Sequence, residues 1–125
     1  MTENDISTIV LRSAINIHRT YGPGLLESVY EEILCHEMKK FGLNCRRQVL
    51  IPLVHEGITM EISFRADIIV NDLVIIELKS VECLVAVHFK QVLTYLKISG
   101  LKLGLLINFN EALLKDGYHR IANNL

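Results

Sequence analysis

Several things are missing from this chain, and each absence narrows what it can be. No apolar run approaches the ~20 residues of a membrane-spanning helix, and no secretory signal precedes the first helical pattern, so no membrane partner is expected. Positive charge is not in excess: 13 Lys and Arg face 14 Asp and Glu, for a net charge of −1. A protein that held long nucleic acid by its backbone alone would be more basic, although a bound metal adds positive charge at one place. Cys35, Cys45 and Cys83 are odd in number and lack C-x-x-C spacing. Reduced, mostly buried thiols in a cytoplasmic protein are expected, and zinc is not. No repeat or linker divides the 125 residues, which fits one domain over 1–125. What is present is a core: 50% of the residues are hydrophobic and 22% charged, a globular rather than a disordered balance.

Read in order, Thr2-x-x-Asp5 resembles a capping box ahead of Ile6, Ile9, Val10, Ala14 and Ile17, an apolar stripe at helical spacing that runs to about Tyr21. Gly22-Pro23-Gly24 breaks it, and a second helix is expected from Leu25 to Phe41, ended by Gly42 as the C′ residue. The pattern then turns to strands: Gln48 to Val54, with Pro52 pointing to an edge or irregular position, and Ile58 to Phe64, which alternates as a half-exposed strand does. Ser80 is the expected cap of a third helix over Val81 to Ser99, Gly100 ends it, and Leu101 to Phe109 reads as a buried strand. The tail adds a short helix or turn and a strand at Tyr118 to Ala122. A helix between two buried strands predicts a right-handed parallel crossover, hence a mixed α/β (α+β) sheet flanked by helices.

The centre of this order is Phe64 to Lys79, two apolar β-branched runs around Asn71-Asp72, which predicts a hairpin. Both runs carry charges that a buried strand should not have. Glu77 and Lys79 are two apart and share a face. The relation of Asp67 to Glu77 depends on the turn. A two-residue loop pairs Asp67 with Ile76 and sends the acids to opposite faces, whereas an odd-length loop centred on Asp72 sets Asp67 against Glu77. Two carboxylates and an ammonium on one patch are costly to bury unless paired or metal-bound. One reading is a buried ion pair. The other is a divalent-metal site for phosphate chemistry, where carboxylates suit Mg²⁺ and a Lys stabilises developing charge or holds the attacking water.

Two further groups flank the hairpin. Gly24-Leu25-Leu26-Glu27-Ser28-Val29-Tyr30 opens the second helix, with Glu27 in the first turn, where the helix dipole favours an acid, and Tyr30 beside it. His88, Gln91 and Tyr95 fall at i, i+3 and i+7 on the third helix, a polar stripe able to orient water, phosphate or the Lys, or simply the polar side of an amphipathic helix. Arg65, next to the acids, is a candidate for phosphate contact or an ordinary surface or ion-paired Arg. Arg46 and Arg47 could touch a nucleic-acid backbone, although two adjacent basic residues at a strand start are usually just solvated.

Asp67, nine intervening residues, then Glu77-Leu78-Lys79 resembles the D…(D/E)-x-K signature of the PD-(D/E)XK nuclease superfamily. Gly24-x-x-Glu27-x-x-Tyr30 resembles the motif that names its GxxExxY branch, Gln91-x-x-x-Tyr95 resembles the Q-x-x-x-Y of exonuclease-like members, and Gly104 to Phe109 looks like the family's closing strand. The resemblance spans about Tyr21 to Ala122 with these motifs in order. It implies a restriction-endonuclease-like core in which Asp67 and Glu77 bind Mg²⁺ or Mn²⁺, Glu27 supplements the metal, Lys79 assists the attacking water, and Gln91 and Tyr95 line the site. The implied activity is metal-dependent hydrolysis of a nucleic-acid phosphodiester, with DNA placed ahead of RNA as the partner. The alternatives are a catalytically inactive module that keeps the fold and binds nucleic acid or a protein, and a homodimer or subunit of a larger complex.

Overall fold

The computed structural model describes residues 1–125. Helix α1 (Glu3–Tyr21) begins at the expected cap: Asp5 N–H donates to Thr2 Oγ1 at 3.1 Å, and Thr2 N–H donates to the Asp5 carboxylate at 2.8 Å. Helix α2 (Glu27–Lys39) is shorter at both ends than its apolar pattern. It closes as a Schellman motif, with Leu43 N–H bonded to Met38 O and Gly42 N–H to Lys39 O. Gly42 takes the left-handed position at φ 79° that this ending requires.

Seven strands follow: β1 (Cys45–Ile51), β2 (Val54–His55), β3 (Ile58–Thr59), β4 (Phe64–Val70), β5 (Val74–Lys79), β6 (Leu103–Asn108) and β7 (Tyr118–Ala122). Helix α3 (Ala86–Ser99) separates β5 from β6, and a 3₁₀ turn at Leu114–Gly117 precedes β7. Five strands form one mixed sheet in the order β1-β4-β5-β6-β7, in which only β5 and β6 run parallel. β1 is an edge, as Pro52 just beyond its end foretells. No helix is long and apolar enough to cross a membrane.

The sheet is covered on both sides. Ile6, Val10, Ala14 and Ile17 of α1 and Tyr30, Leu34 and Met38 of α2 pack on one face, against Ile68, Val70, Val74, Ile76, Leu78, Leu103, Leu105 and Ile107. Val92, Tyr95 and Leu96 of α3 pack on the other, against Ala66, Ile69, Ile75 and Leu106. Strands buried on both faces read as continuous apolar runs, and β6 is buried throughout. Gly104 lets α3 lie close, because a Cβ there would sit 2.5 Å from Val92 Cγ1.

Three expectations need correction. Ile58 to Phe64 is not one half-exposed strand. Ile58–Thr59 pairs with Val54–His55 in a small hairpin and Phe64 pairs with Ile51 as the start of β4, whereas Ile62 between them is 87% exposed because no neighbouring strand receives it. Ser80 does not cap α3. The helix starts at Ala86, where Val85 N–H donates to His88 Nδ1 at 3.0 Å and Val85 O accepts from His88 N–H. The thiols are free but not uniformly buried: Cys35 is buried, Cys45 half-buried and Cys83 exposed.

Candidate active site

The turn between β4 and β5 settles the relation of the two acids. Asn71 and Asp72 both take left-handed backbone angles, φ 52° and 54°, and Leu73 N–H returns to Val70 O at 2.9 Å. Leu73 is then left over, and the register runs Val70 to Val74, Ile69 to Ile75 and Ile68 to Ile76. Carried one step on, that register sets Asp67 against Glu77, the arrangement of the odd-length loop.

Ladder pairing stops there. Beyond Ile68 and Ile76 the two strands separate, β4 continuing beside β1 to Phe64 and β5 beside β6 to Lys79. The carboxylates fill the fork. Asp67 N–H donates to Glu77 Oε1 at 3.1 Å, and Leu78 N–H donates to Asp67 Oδ2 at 2.9 Å. Each acid therefore satisfies a backbone donor that strand pairing would otherwise have used.

Glu77 is only 5% exposed. Burial first, and then the neighbouring Asp67 charge, push its carboxyl up to about 9, opposed by Lys79. Lys79 is half-buried and forms no ion pair with a carboxylate, although it is close enough to act on Glu77. Tyr95 is 6% exposed, and its phenol is raised by burial and by the charges of Glu77 and Asp67, which brings it electrostatically to the acids. Its ring lies against Phe64, centroids 5.3 Å apart.

Glu27 arrives from the other face. Tyr30 is fully buried, stacked on Phe109 at 4.1 Å, and its hydroxyl donates to Gly22 O while accepting from Leu25 N–H at 3.1 Å. These bonds fix the loop that leads into α2. Glu27 Oε2 then accepts from Ser80 N–H at 3.0 Å, one residue past Lys79. Fully buried Asn108 holds the same loop through both directions of a side-chain bond to Val81. Glu27 and Asp67 line one pocket of about 220 Å³ with Ser28, Glu31, Gln48 and Leu78.

Not every expected residue converges. Gln91 lies on α3 one turn before Tyr95 but is exposed, and His88 is engaged in capping the helix. No three His, Cys, Asp or Glu side chains form a ready-made metal cage. The donor set still fits a magnesium-type ion, which takes one or two carboxylates and keeps water elsewhere. Glu77 makes no bond through Oε2, and a cation would relieve two acids held together under poor solvation. Arg46 pairs with exposed Asp72 at 2.6 Å rather than standing free, and Arg47 is tied to Glu31.

Glu31 and Gln48 are the site neighbours that sequence reasoning missed, while Arg47, a candidate for phosphate contact, is instead bonded to Glu31. The available signal was that Glu31 follows Glu27 by four residues and shares its helix face. Nothing in the sequence announced the bend at Gln48.

A family model described as the PD-(D/E)XK nuclease superfamily matches residues 4–121. No curated protein and no solved structure matches the chain.

Proposed function

We propose that this chain, which belongs to the PD-(D/E)XK nuclease superfamily, is a metal-dependent nuclease of the GxxExxY branch that hydrolyses phosphodiester bonds of DNA. The single observation that supports the reading is the fork: Asp67 and Glu77 face each other where β4 and β5 separate, with Lys79 two residues on. Asp67 and Glu77 hold Mg²⁺ or Mn²⁺, and Glu27 contributes from the start of α2. The ion, when bound, supplies a water of lowered pKa and neutralises phosphate charge. Lys79 stabilises the charge that builds on the phosphate oxygens. Tyr95, whose phenol can donate a hydrogen bond, lines the site from the α3 side. Gln91, exposed on the same helix, meets substrate rather than the acids.

The test is calorimetric titration of Mn²⁺ into wild type, Asp67→Ala and Glu77→Ala, followed by cleavage assays on DNA and RNA. Saturable binding lost in both variants, with Mn²⁺-dependent DNA cleavage lost in Lys79→Ala, is the expected result. The lack of excess positive charge, 13 Lys and Arg against 14 Asp and Glu, favours, as a second reading, an inactive module that keeps the fold and binds nucleic acid or a protein partner. Nucleic-acid binding without cleavage at any Mn²⁺ or Mg²⁺ concentration would select it.

A further inference from the structure

β1 and β4 carry a paired irregularity beside the acids. Cys45 packs against the α1–α2 core while Val49 and Ile51 pack against the α3 core, although an unbroken strand would put all three on one face. In β4, Ala66 and Ile69 share the α3 core despite being three apart, so alternation changes there too. The register does not slip: Arg47 faces Ile68 and Val49 faces Ala66. Gln48 and Asp67 thus stand opposite each other where both strands turn over. Gln48 takes φ 51°, a left-handed angle that a non-glycine residue rarely holds inside a strand.

Its side chain is held from two sides. Glu31, only 4% exposed, accepts through Oε2 from Arg47 Nε and Nη2 at 3.1 and 2.9 Å, and through Oε1 from Gln48 Nε2 at 2.7 Å. The same Gln48 amide reaches Asp67 Oδ1 at 3.4 Å. Both neighbours are carboxylate oxygens, so the amide must present its nitrogen to them. Asp67 is therefore gripped by Leu78 N–H on Oδ2 and by Gln48 on Oδ1.

We propose that Gln48 is a positioning residue: anchored by Glu31 and Arg47, its amide sets the rotation of the Asp67 carboxylate toward the metal. The role rests on the nuclease reading above. It accounts for the backbone angle, since glycine or asparagine would sit more easily at this φ but would not reach Asp67. Groups that hold a metal's ligands govern affinity without touching the ion. The Asp67 contact is long and leaves Oδ1 available to a cation.

The experiment compares wild type with Gln48→Gly and Gln48→Asn, both of which relax the backbone and shorten the side chain. The relaxed backbone offsets the lost bond to Glu31, so each should stay folded with a melting temperature near that of the wild type and yet bind Mn²⁺ about 10–100-fold more weakly. In the metal-free protein, the Gln48 side-chain amide protons, identified by their loss in Gln48→Gly, should shift in Glu31→Gln and in Asp67→Asn. Unchanged Mn²⁺ affinity in both Gln48 variants overturns the positioning role and leaves the nuclease reading standing. Amide protons indifferent to Asp67→Asn overturn it as well. Failure of the wild type to bind Mn²⁺, alone or with a DNA duplex, overturns the nuclease reading and this role together.

Discussion

The β4–β5 hairpin has a closed half and an open half, built on opposite principles. Near the turn, Ile68–Val70 pairs with Val74–Ile76, every side chain is apolar and buried, and backbone bonds to backbone. One residue further the ladder gives way to carboxylates, which accept the N–H groups of Asp67 and Leu78. The closed half gains stability from burial. The open half keeps a nearly buried acid next to another acid, an arrangement that opposes folding and suits a cation. Departures of this kind from the packing rules are where function is expected.

The largest effect should come from the closed half. Ile76→Ala removes a fully buried side chain from the α1–α2 core and should cost about 2–5 kcal/mol in urea unfolding. Glu77→Gln, the very next residue, should leave stability at pH 7 unchanged or higher while abolishing Mn²⁺ binding. If the two substitutions proved equally destabilising, the division into halves would fail.

The open half should also impose a pH dependence. The fold holds the Glu77 proton up to about 9, whereas the unfolded chain releases it near 4.5. Between those values the folded state binds more protons than the unfolded one, so stability is fullest below the lower value and falls as pH rises toward the upper. The slope contributed by this one group approaches ~1.4 kcal/mol per pH unit at most. Glu77→Gln should remove that slope, and Mn²⁺ should counter it by favouring the carboxylate. A profile that rises from pH 6 to 8 in wild type would contradict the buried, protonated acid.

A smaller effect belongs to the support of Glu27. Tyr30→Phe keeps the stack on Phe109 and loses both bonds to the Gly22–Leu25 loop. About 0.5–1.5 kcal/mol of stability should go with them. Mn²⁺ binding should weaken more than in a core variant of equal stability, because the loop sets where Glu27 begins. Equal weakening in the two variants would make Tyr30 a packing residue only.

How much of this was legible follows the same division. The closed half could be read from its apolar runs, as could α1 from its stripe and cap and β6 from its buried run, because burial and periodicity are properties of local sequence. The turn offered two registers, and the choice depended on the extra residue Leu73, which no residue type announces. Met60, Ile62 and Phe64 alternate like a strand, but pairing needs a partner and Ile62 has none. Ser80 had the character of a cap and instead gives its N–H to Glu27, a contact made across 53 residues of chain. Glu31 and Gln48 were hidden for the same reason: their roles come from a handedness at φ 51° and from neighbours distant in sequence.

The smallest effect tests the turn itself. Arg46 Nη2 lies 2.6 Å from Asp72 Oδ1, and the two side chains are 52% and 73% exposed. Exposed pairs of this kind are screened by water and salt and contribute roughly 0–1 kcal/mol. The turn has firmer support, since Asn44 N–H donates to Asn71 Oδ1 and Asn71 N–H donates to Asn44 O, both at 2.8 Å. Arg46→Ala should therefore change stability by less than ~0.5 kcal/mol, with the difference vanishing at high salt. Because Leu73, not the ion pair, fixes the odd register, Mn²⁺ binding at Asp67 and Glu77 should be unaffected. A loss of metal binding in Arg46→Ala would mean that the surface pair holds the register, and that the open half depends on the turn more than the backbone bonds imply.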